Sequence, residues 1–122
     1  MAYRVLIIED YHDTAETTKV LLGLAGYEVQ TAHSGRQGLE AARSFRPRVV
    51  LCDIAMPGMS GYEVARALRR EPALDPLYLI AVTGYGRDED QREALEAGFD
   101  LHLIKPVDIE LLRRALAGIS TS

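Results

Sequence analysis

Short apolar segments alternate with amphipathic helical patterns along the whole chain. Five segments rich in branched and apolar residues predict strands, and each is followed by a more polar pattern that predicts a helix. The predicted strands are Tyr3–Ile8, Glu28–Ala32, Arg48–Cys52, Leu77–Val82 and Leu101–Ile104. The predicted helices are Asp13–Ala25, the segment between Ser34 and Pro47, the segment from Ser60 through Leu68, Asp88–Ala97, and the segment between Asp108 and Gly118. One strand–helix unit is therefore repeated five times.

Capping residues and apolar spacing indicate where the helices begin and which side faces a core. Ser34 with Gln37, and Ser60 with Glu63, have the spacing of capping boxes. Gly26 indicates a left-handed turn at the end of the first helix. The first helix is expected to face the core with one apolar stripe, formed by Val20, Leu21, Leu24 and Ala25.

The alternation of strands and helices specifies an α/β fold, in which a parallel sheet is covered by helices on both faces. Right-handed crossovers leave few arrangements, and the doubly wound, flavodoxin-like order 2-1-3-4-5 is expected for the five strands. The length of 122 residues fits one domain that covers residues 1–122. In this order a crevice lies at the carboxyl ends of strands 1 and 3, where open α/β sheets bind their ligands.

Composition is that of an ordinary globular protein and narrows the choice of partners. The chain is 48% hydrophobic and 26% charged, and its net charge of −4 disfavours nucleic acid as a partner. The longest strongly apolar run, Leu77–Val82, is far shorter than a membrane span, and the first residues lack a signal-peptide pattern. We therefore expect a cytoplasmic protein that does not bind membranes. Cys52 is expected to be a buried apolar residue of strand 3, and His12 and His33 are expected to lie in surface loops.

Polar side chains follow four of the predicted strands. Strand 1 is followed by Glu9 and Asp10, strand 3 by Asp53, strand 4 by Thr83 and strand 5 by Lys105. Because parallel strands end at the same edge of the sheet, these side chains are expected to meet in a shallow pocket. Three carboxylates and one ammonium group sum to −2 when all are ionised, which favours a divalent cation. Oxygen ligands suit Mg²⁺, or Mn²⁺, better than Zn²⁺.

Such a pocket has the parts that phosphoryl transfer requires. The metal and the ammonium group would neutralise charge on the phosphoryl oxygens while a carboxylate oxygen attacks in line. Each of these residues alone is explained as well by an ordinary strand end, turn or exposed side chain. Their joint placement at one edge of the sheet is what favours a functional site.

Four longer motifs surround these strand ends. They are VLIIEDY at 5–11, VVLCDIAMPGMSGYEVAR at 49–66, AVTGYG at 81–86 and GFDLHLIKPVD at 98–108. Together, and in this order, they resemble the receiver domain of bacterial two-component response regulators. The resemblance covers essentially the whole chain and implies the same five-stranded α/β fold.

The resemblance implies a role for each residue at the strand ends. Asp53 would be the phosphoacceptor, which takes a phosphoryl group from a histidine of a sensor histidine kinase or a histidine phosphotransfer protein. Thr83 and Lys105 would contact the phosphoryl oxygens, and Lys105–Pro106 matches a site where receivers often have a cis peptide bond. The protein ligands of Mg²⁺ would be the side chains of Glu9, Asp10 and Asp53 and the backbone carbonyl of Ala55.

Two residues depart from the family pattern. Glu9 stands where many relatives have aspartate, and its longer side chain is expected to reach the metal through water. His102 stands where many receivers have the tyrosine or phenylalanine of the activation switch, which acts together with the residue at Thr83. An imidazole at this position would be a smaller, more polar and pH-sensitive switch residue.

The function implied by the resemblance is a phosphorylation-controlled switch. An acyl phosphate on Asp53 would replace a −1 carboxylate by a group of about −2, and Thr83 and Lys105 would reorganise around it. The output face would consist of the helix from Asp88, strand 5 and the helix from Asp108, and it would contact a downstream protein target. The chain would be a monomer or weak dimer, and it would catalyse only its own phosphorylation and dephosphorylation.

Several alternatives stay open at this stage. One is a receiver domain excised from a hybrid sensor kinase or a larger regulator, because the 98–108 stretch resembles both kinds. Another is a phosphorylation-independent pseudo-receiver, although such modules typically lose part of the Asp53, Thr83 and Lys105 set. A Mg²⁺-dependent phosphatase would need a second aspartate where Ala55 stands. A flavodoxin-like binding module would need a phosphate-binding loop where the acidic segment 9–13 lies.

Overall fold

The computed structural model describes residues 3–84 and 88–119, which form a five-stranded sheet between two layers of helices. The strands are β1 (Arg4–Ile8), β2 (Glu28–Ala32), β3 (Val49–Asp53), β4 (Tyr78–Thr83) and β5 (Leu101–Ile104). The helices are α1 (His12–Leu24), α2 (Gly35–Phe45), α3 (Gly61–Arg69), α4 (Asp88–Ala97) and α5 (Ile109–Ala117), with one 3-10 turn at Pro72–Leu74. All strand pairs are parallel and the order is β2-β1-β3-β4-β5. The predicted fold class and strand order are confirmed, and no strand end differs from its prediction by more than one residue.

The side chains of each strand alternate between two apolar layers, one on each face of the sheet. Leu6 and Ile8 of β1 pack with the residues of α2, α3 and α4, whereas Val5 and Ile7 pack with those of α1 and α5. All five residues of β3 are buried, which explains why its sequence is almost continuously apolar. Because helices cover both faces, polar groups reach solvent at the strand ends, and the candidate residues lie at the carboxyl ends.

The predicted serine caps are present at the starts of α2 and α3, whereas the Gln37 side chain accepts from the backbone N–H of His33. Ser34 Oγ accepts a hydrogen bond from Gln37 N–H at 3.1 Å, and Ser60 caps α3 in the same way. Asp108 caps α5 by accepting from two backbone N–H groups, and Gly26 after α1 is left-handed with φ of 100°. None of the helices in residues 3–84 and 88–119 is long and apolar enough to cross a bilayer.

Helix α1 faces the sheet with a different stripe from the predicted one. Ala15 and Leu22 are fully buried, and Thr18 and Lys19 between them are half-buried. These four positions have the i, i+3, i+4, i+7 spacing of one helix face, and the small Ala15 lets the helix lie close to the sheet. The predicted stripe is wrong, because it lies on the outer side, with exposed fractions of 56% at Val20, 38% at Leu21 and 81% at Leu24 and with an exposed Ala25.

Cys52 is fully buried in β3, as predicted. Burial, together with the nearby negative charges of Asp53 and Glu9, raises the pKa of its thiol far above the ordinary value. The thiol therefore stays protonated and behaves as a small apolar side chain.

Candidate functional site

The carboxyl ends of β1, β3, β4 and β5 bring together the side chains that the sequence predicted. One carboxylate oxygen each of Glu9, Asp10 and Asp53 lies within 4.8 Å of the other two. Glu9 is 5% exposed and Asp53 3%, whereas Asp10 is half-buried. The adjacency of β1 and β3 in the sheet therefore places three acids side by side, two of them almost without solvent.

Lys105 supplies the positive charge of this cluster. Its Nζ lies 3.1 Å from Asp53 Oδ2 and 3.3 Å from Glu9 Oε1. Its backbone N–H donates to the Thr83 carbonyl oxygen at 2.8 Å, and the Lys105–Pro106 peptide is cis, as predicted. Burial alone would lower the pKa of Lys105, but the hydrogen bonds and attraction of Asp53 and Glu9 outweigh it and raise that pKa. The amine is thus a permanent cation near neutral pH.

Glu9 is the carboxyl group of this cluster whose pKa is raised. Its Oε2 accepts a hydrogen bond from Tyr11 N–H at 3.3 Å. Burial, followed by the hydrogen bond to Asp53 and the repulsion of its charge, raises the pKa of Glu9 to about 7. A proton on Glu9 relieves the repulsion between the acids, and a divalent cation would relieve it by displacing that proton.

The loop after β3 is shaped around Asp53. Ala55 N–H donates to Asp53 Oδ1 at 3.2 Å, and Gly61 N–H donates to the Ile54 carbonyl oxygen at 2.9 Å. A Cβ atom at Gly61 would lie 2.5 Å from the Asp53 carbonyl oxygen and 2.7 Å from Ile54 Cα. Only glycine lets α3 begin this close to the end of β3. Sequence reasoning missed Gly61, although a glycine directly after the capping Ser60 was a signal for it.

Thr83 and His102 lie on the neighbouring strands β4 and β5. Thr83 is the last residue of β4 and is 5% exposed. His102 of β5 is in register with Ala81, so it lies diagonal to Thr83 on the same face of the sheet. The Nε2 atom of His102 is buried and has no hydrogen-bond partner among the described residues. Tyr85 and Gly86, the last residues of the predicted AVTGYG motif, lie outside the described residues.

Sequence reasoning also missed a contact of the acidic loop, the segment 9–11 between β1 and α1. His33, which was expected to be a surface residue, is half-buried, and its Nδ1 lies 3.1 Å from the Glu9 carbonyl oxygen. The ring of the exposed His12 stacks on it, with centroids 3.7 Å apart and planes 12° from parallel. A lone loop histidine gives no signal of this kind, because the contact depends on β2 lying beside β1.

A cleft of about 620 Å³ opens beside Asp53 and Lys105. Its floor is formed by apolar side chains of β1, β3 and β4, and its walls are formed by α1 and the segment after β5. Helix α1 lines the cleft with Thr14, Thr17 and Thr18 as well as with Leu21. The lining residues include Ile7, Leu51, Val82, Thr17, Leu21 and Pro106.

The donor set fits a hard divalent cation. Glu9, Asp10 and Asp53 offer carboxylate oxygens, the ligands that Mg²⁺ and Mn²⁺ prefer. With Lys105 the four groups sum to −2 when ionised, a charge that one such cation offsets. The arrangement can therefore hold a cation next to a buried carboxylate, a lysine ammonium group and the hydroxyl of Thr83.

The chain is similar to known proteins over most of its length. The model of a family described as response regulator receiver domain matches residues 5–117. The transcriptional regulatory protein AfsQ1 of Streptomyces coelicolor is 39% identical over 110 residues, which are 88% of this chain and 47% of that protein. The polar-differentiation response regulator DivK of Brucella anthropi is 30% identical over 109 residues, 89% of each chain. The solved structure of the chemotaxis protein CheY4 of Vibrio cholerae is 29% identical with a TM-score of 0.92, covering 98% of this chain and 100% of that one.

Proposed function

The chain belongs to the response regulator receiver domain family, and from that premise we propose that it is a phosphorylation-controlled switch with Asp53 as phosphoacceptor. Members of this family are signalling modules of two-component systems rather than conventional enzymes. The observation that carries the proposal is the buried acidic cluster, in which Lys105 Nζ lies 3.1 Å from Asp53 Oδ2.

In the proposed reaction, a carboxylate oxygen of Asp53 attacks the phosphorus of a phosphohistidine on a sensor histidine kinase or histidine phosphotransfer protein. The O–P bond forms as the P–N bond breaks, and the electron pair of the broken bond returns to the donor imidazole. Lys105 already contacts Asp53 and Glu9, so a short movement would carry its ammonium group onto a phosphoryl oxygen. Thr83 would donate its hydroxyl hydrogen to a second phosphoryl oxygen.

Glu9, Asp10, Asp53 and the backbone carbonyl of Ala55 would hold Mg²⁺, or Mn²⁺ in its place. A bound divalent cation supplies charge neutralisation for the acids and for the phosphoryl oxygens. The two oxygens of Glu9 are engaged by Lys105 and by Tyr11 N–H. We therefore assign Glu9 a water-mediated contact and the half-buried Asp10 a direct one.

The phosphodonor would dock on the outer side of α1. This helix exposes Val20, Leu21 and Leu24, and Leu21 also lines the cleft beside Asp53. A helix of the donor that packs along α1 from these side chains to the first turn at His12 would reach the carboxyl edge of the sheet, where α1 begins. The misplaced apolar stripe of α1 thus has a role once it is understood as a surface rather than as core.

The phosphorylated site would signal through the α4–β5–α5 face. Each of the three elements exposes one large apolar side chain, Leu95 at 65%, Ile104 at 50% and Leu111 at 52%. Thr83 would move toward the phosphoryl group, and His102, its diagonal neighbour, would change position with it as the switch residue. Exposed apolar residues of this kind suit contact with a downstream protein target.

Residues 1–122 are proposed to form one receiver domain, whether alone or within a larger regulator. The chain spans about half the length of AfsQ1 and most of the length of DivK, so both kinds of relative exist. The presence of Asp53, Thr83 and Lys105 together supports phosphorylation rather than a phosphorylation-independent pseudo-receiver. The proposal includes a sensor histidine kinase or phosphotransfer protein as the phosphodonor and a downstream protein as the target.

Incubation with acetyl phosphate and Mg²⁺, followed by mass spectrometry, tests the phosphoacceptor. The wild type should gain the mass of one phosphoryl group in a form that hydroxylamine removes, and chelation of Mg²⁺ should abolish the gain. Asp53→Asn should not be modified, whereas Asp75→Asn, an exposed control outside the site, should behave like the wild type. Equal modification of Asp53→Asn would refute the assignment, and modification at full rate without a divalent cation would refute the metal site.

A further inference from the structure

We propose that His33 is a positioning residue for the metal site: its Nδ1–H group holds the Glu9 carbonyl oxygen and thereby sets the place of Asp10. The inference rests on the proposed function, because Asp10 matters here as a ligand of the divalent cation. It adds a residue outside the family motifs, on the loop between β2 and α2.

Both backbone polar groups of Glu9 are bonded to the end of β2 and the loop that follows it. Glu9 N–H donates to the Ala32 carbonyl oxygen at 2.9 Å, and the Glu9 carbonyl oxygen lies 3.1 Å from His33 Nδ1. A carbonyl oxygen only accepts, so the contact requires the hydrogen of His33 on Nδ1. The same carbonyl belongs to the planar peptide that joins Glu9 to Asp10. Holding its oxygen therefore also holds the backbone nitrogen and Cα of Asp10.

The backbone and the ring of His33 are each held by neighbouring residues. The backbone N–H of His33 donates to Gln37 Oε1 at 3.0 Å, and the backbone N–H of Gln37 donates to Ser34 Oγ at 3.1 Å. These bonds join His33 to the first turn of α2. The ring also stacks on His12, the first residue of α1, at 3.7 Å between centroids. One side chain thus contacts the acidic loop at its beginning and at its end.

The first turns of α2, which follow His33, are packed closely against their neighbours. A Cβ atom at Gly38 would lie 2.4 Å from Ile8 Cδ1, so α2 lies directly on β1 just before the acidic pair. A Cβ atom at Gly35 would lie 2.8 Å from Met59 Cβ, in the loop that follows β3. The first turns of α2 therefore pack on β1 just before Glu9 and on the loop that follows Asp53, which gives the segment with His33 close-packed neighbours on both sides.

Calorimetric Mg²⁺ titration of matched variants tests the positioning role. His33→Ala should weaken Mg²⁺ binding about tenfold, the effect expected for loss of a hydrogen bond that orients a ligand. His33→Asn keeps a short side-chain donor and should recover most of the affinity, whereas His33→Phe keeps the stacked ring without the donor and should behave like His33→Ala. Arg36→Ala, at an exposed position in the first turn of α2, is the control and should bind like the wild type. The thermal midpoints of the ion-free variants should stay within about 2 °C of the wild type.

The hydrogen bond has a readout that needs no metal. Long-range ¹⁵N–¹H NMR of the ion-free chain should show His33 in the Nδ1–H tautomer, and an Nε2–H tautomer would overturn the proposal. The positioning role would be overturned if His33→Ala bound Mg²⁺ as tightly as the wild type. It would also be overturned if all three His33 variants lost the same Mg²⁺ affinity and had lowered thermal midpoints. Either result would leave the proposed function intact. A wild type that does not bind Mg²⁺ would overturn the metal site and this inference together.

Discussion

At the level of single residues, Glu9 and Asp53 are two buried carboxyl groups that share one ammonium group, Lys105. The pKa of Glu9 is about 7 in the folded chain against an ordinary value of 4.5, chiefly because of burial and the neighbouring Asp53. Between these two values the folded chain keeps a proton that the unfolded chain has released. This proton stabilises the ion-free fold fully below about pH 4.5, and the stabilisation is lost as the pH rises through about 7.

Mg²⁺ binding should therefore depend on pH through Glu9. The wild-type affinity should fall about tenfold from pH 8 to pH 6, because at the lower pH the cation must displace the Glu9 proton. Titration calorimetry in buffers of different ionisation enthalpy measures both the affinity and the number of protons released. Glu9→Gln cannot titrate, so its weaker affinity should change far less over the same interval. A wild-type affinity that does not vary with pH would contradict this assignment of the proton.

Gly61 is the residue whose replacement should disturb the phosphoacceptor most directly without touching its chemistry. In Gly61→Ala the added methyl group would meet the Asp53 carbonyl oxygen at 2.5 Å, so α3 must move away from β3. We expect a loss of about 1–3 kcal/mol in the free energy of unfolding, measured with urea, and slower phosphorylation by acetyl phosphate. Gly23→Ala is the control, since nothing lies within 4 Å of its added Cβ. Equal free energies of unfolding for the two variants would contradict this expectation, because they would show that the end of β3 accommodates the added methyl group without loss of stability.

At the level of elements, the helices differ in how well their sequences define the buried side. Helix α2 buries Leu39, Ala42 and Phe45, because its apolar residues form a single stripe. Helix α1 has two stripes with helical spacing, and the more apolar one faces solvent while the one from Ala15 to Leu22 faces the sheet. The pattern of one helix cannot decide between two stripes when both have helical spacing.

Two leucines of α1 test this orientation. Leu22→Ala should lower the free energy of unfolding by about 2–5 kcal/mol, because a fully buried side chain leaves a cavity. Leu24→Ala should change it by less than about 0.5 kcal/mol, because Leu24 is 81% exposed. Urea unfolding of both variants measures the difference. A larger loss for Leu24→Ala would restore the orientation predicted from the sequence.

The exposed leucine should matter for the donor instead. Leu24→Glu should slow phosphoryl transfer from the cognate kinase or phosphotransfer protein by about tenfold, because a charge would replace an apolar contact at the docking surface. Its modification by acetyl phosphate should keep the wild-type rate, since the small donor needs no docking helix. Rapid-quench measurements with both donors separate the two effects. Equal slowing with both donors would mean that the substitution damages the site, and equal wild-type rates would move the docking surface elsewhere.

For the whole molecule, the predictable part of the site is the part that the fold collects at one edge. Asp53, Thr83 and Lys105 each follow an apolar strand, and parallel strands end together, so a reader of the sequence can gather them before seeing a structure. The contributions of His33 and Gly61 depend on distances between loops that are far apart in sequence. Local sequence patterns contain no information on these distances. The roles of His33 and Gly61 can therefore be recognised only when the arrangement of the strands is known.

The same arrangement determines how a change at Asp53 would travel to the α4–β5–α5 face. Thr83 ends β4, its carbonyl oxygen accepts from Lys105 N–H at 2.8 Å, and β4 is in register with β5 from Ile80 to Thr83. A movement of Thr83 would therefore act on β5 and on the segment that leads into α5. We expect phosphorylation to change amide hydrogen exchange in β5 and α5 of the wild type.

Thr83→Ala separates the chemistry from its transmission. This variant keeps Asp53, Lys105 and the acids, so acetyl phosphate should still modify it, although more slowly. It lacks the hydroxyl group that would follow the phosphoryl oxygen, so the change in hydrogen exchange of β5 and α5 should be largely lost. His102→Phe introduces the kind of aromatic residue that is common in receivers. This variant should still show the change in hydrogen exchange of β5 and α5, and it tests whether the imidazole itself is required. If phosphorylated Thr83→Ala exchanges like the phosphorylated wild type, the signal does not pass through β4, and the direct pairing of Lys105 with the phosphoryl group would be left as the connection to β5.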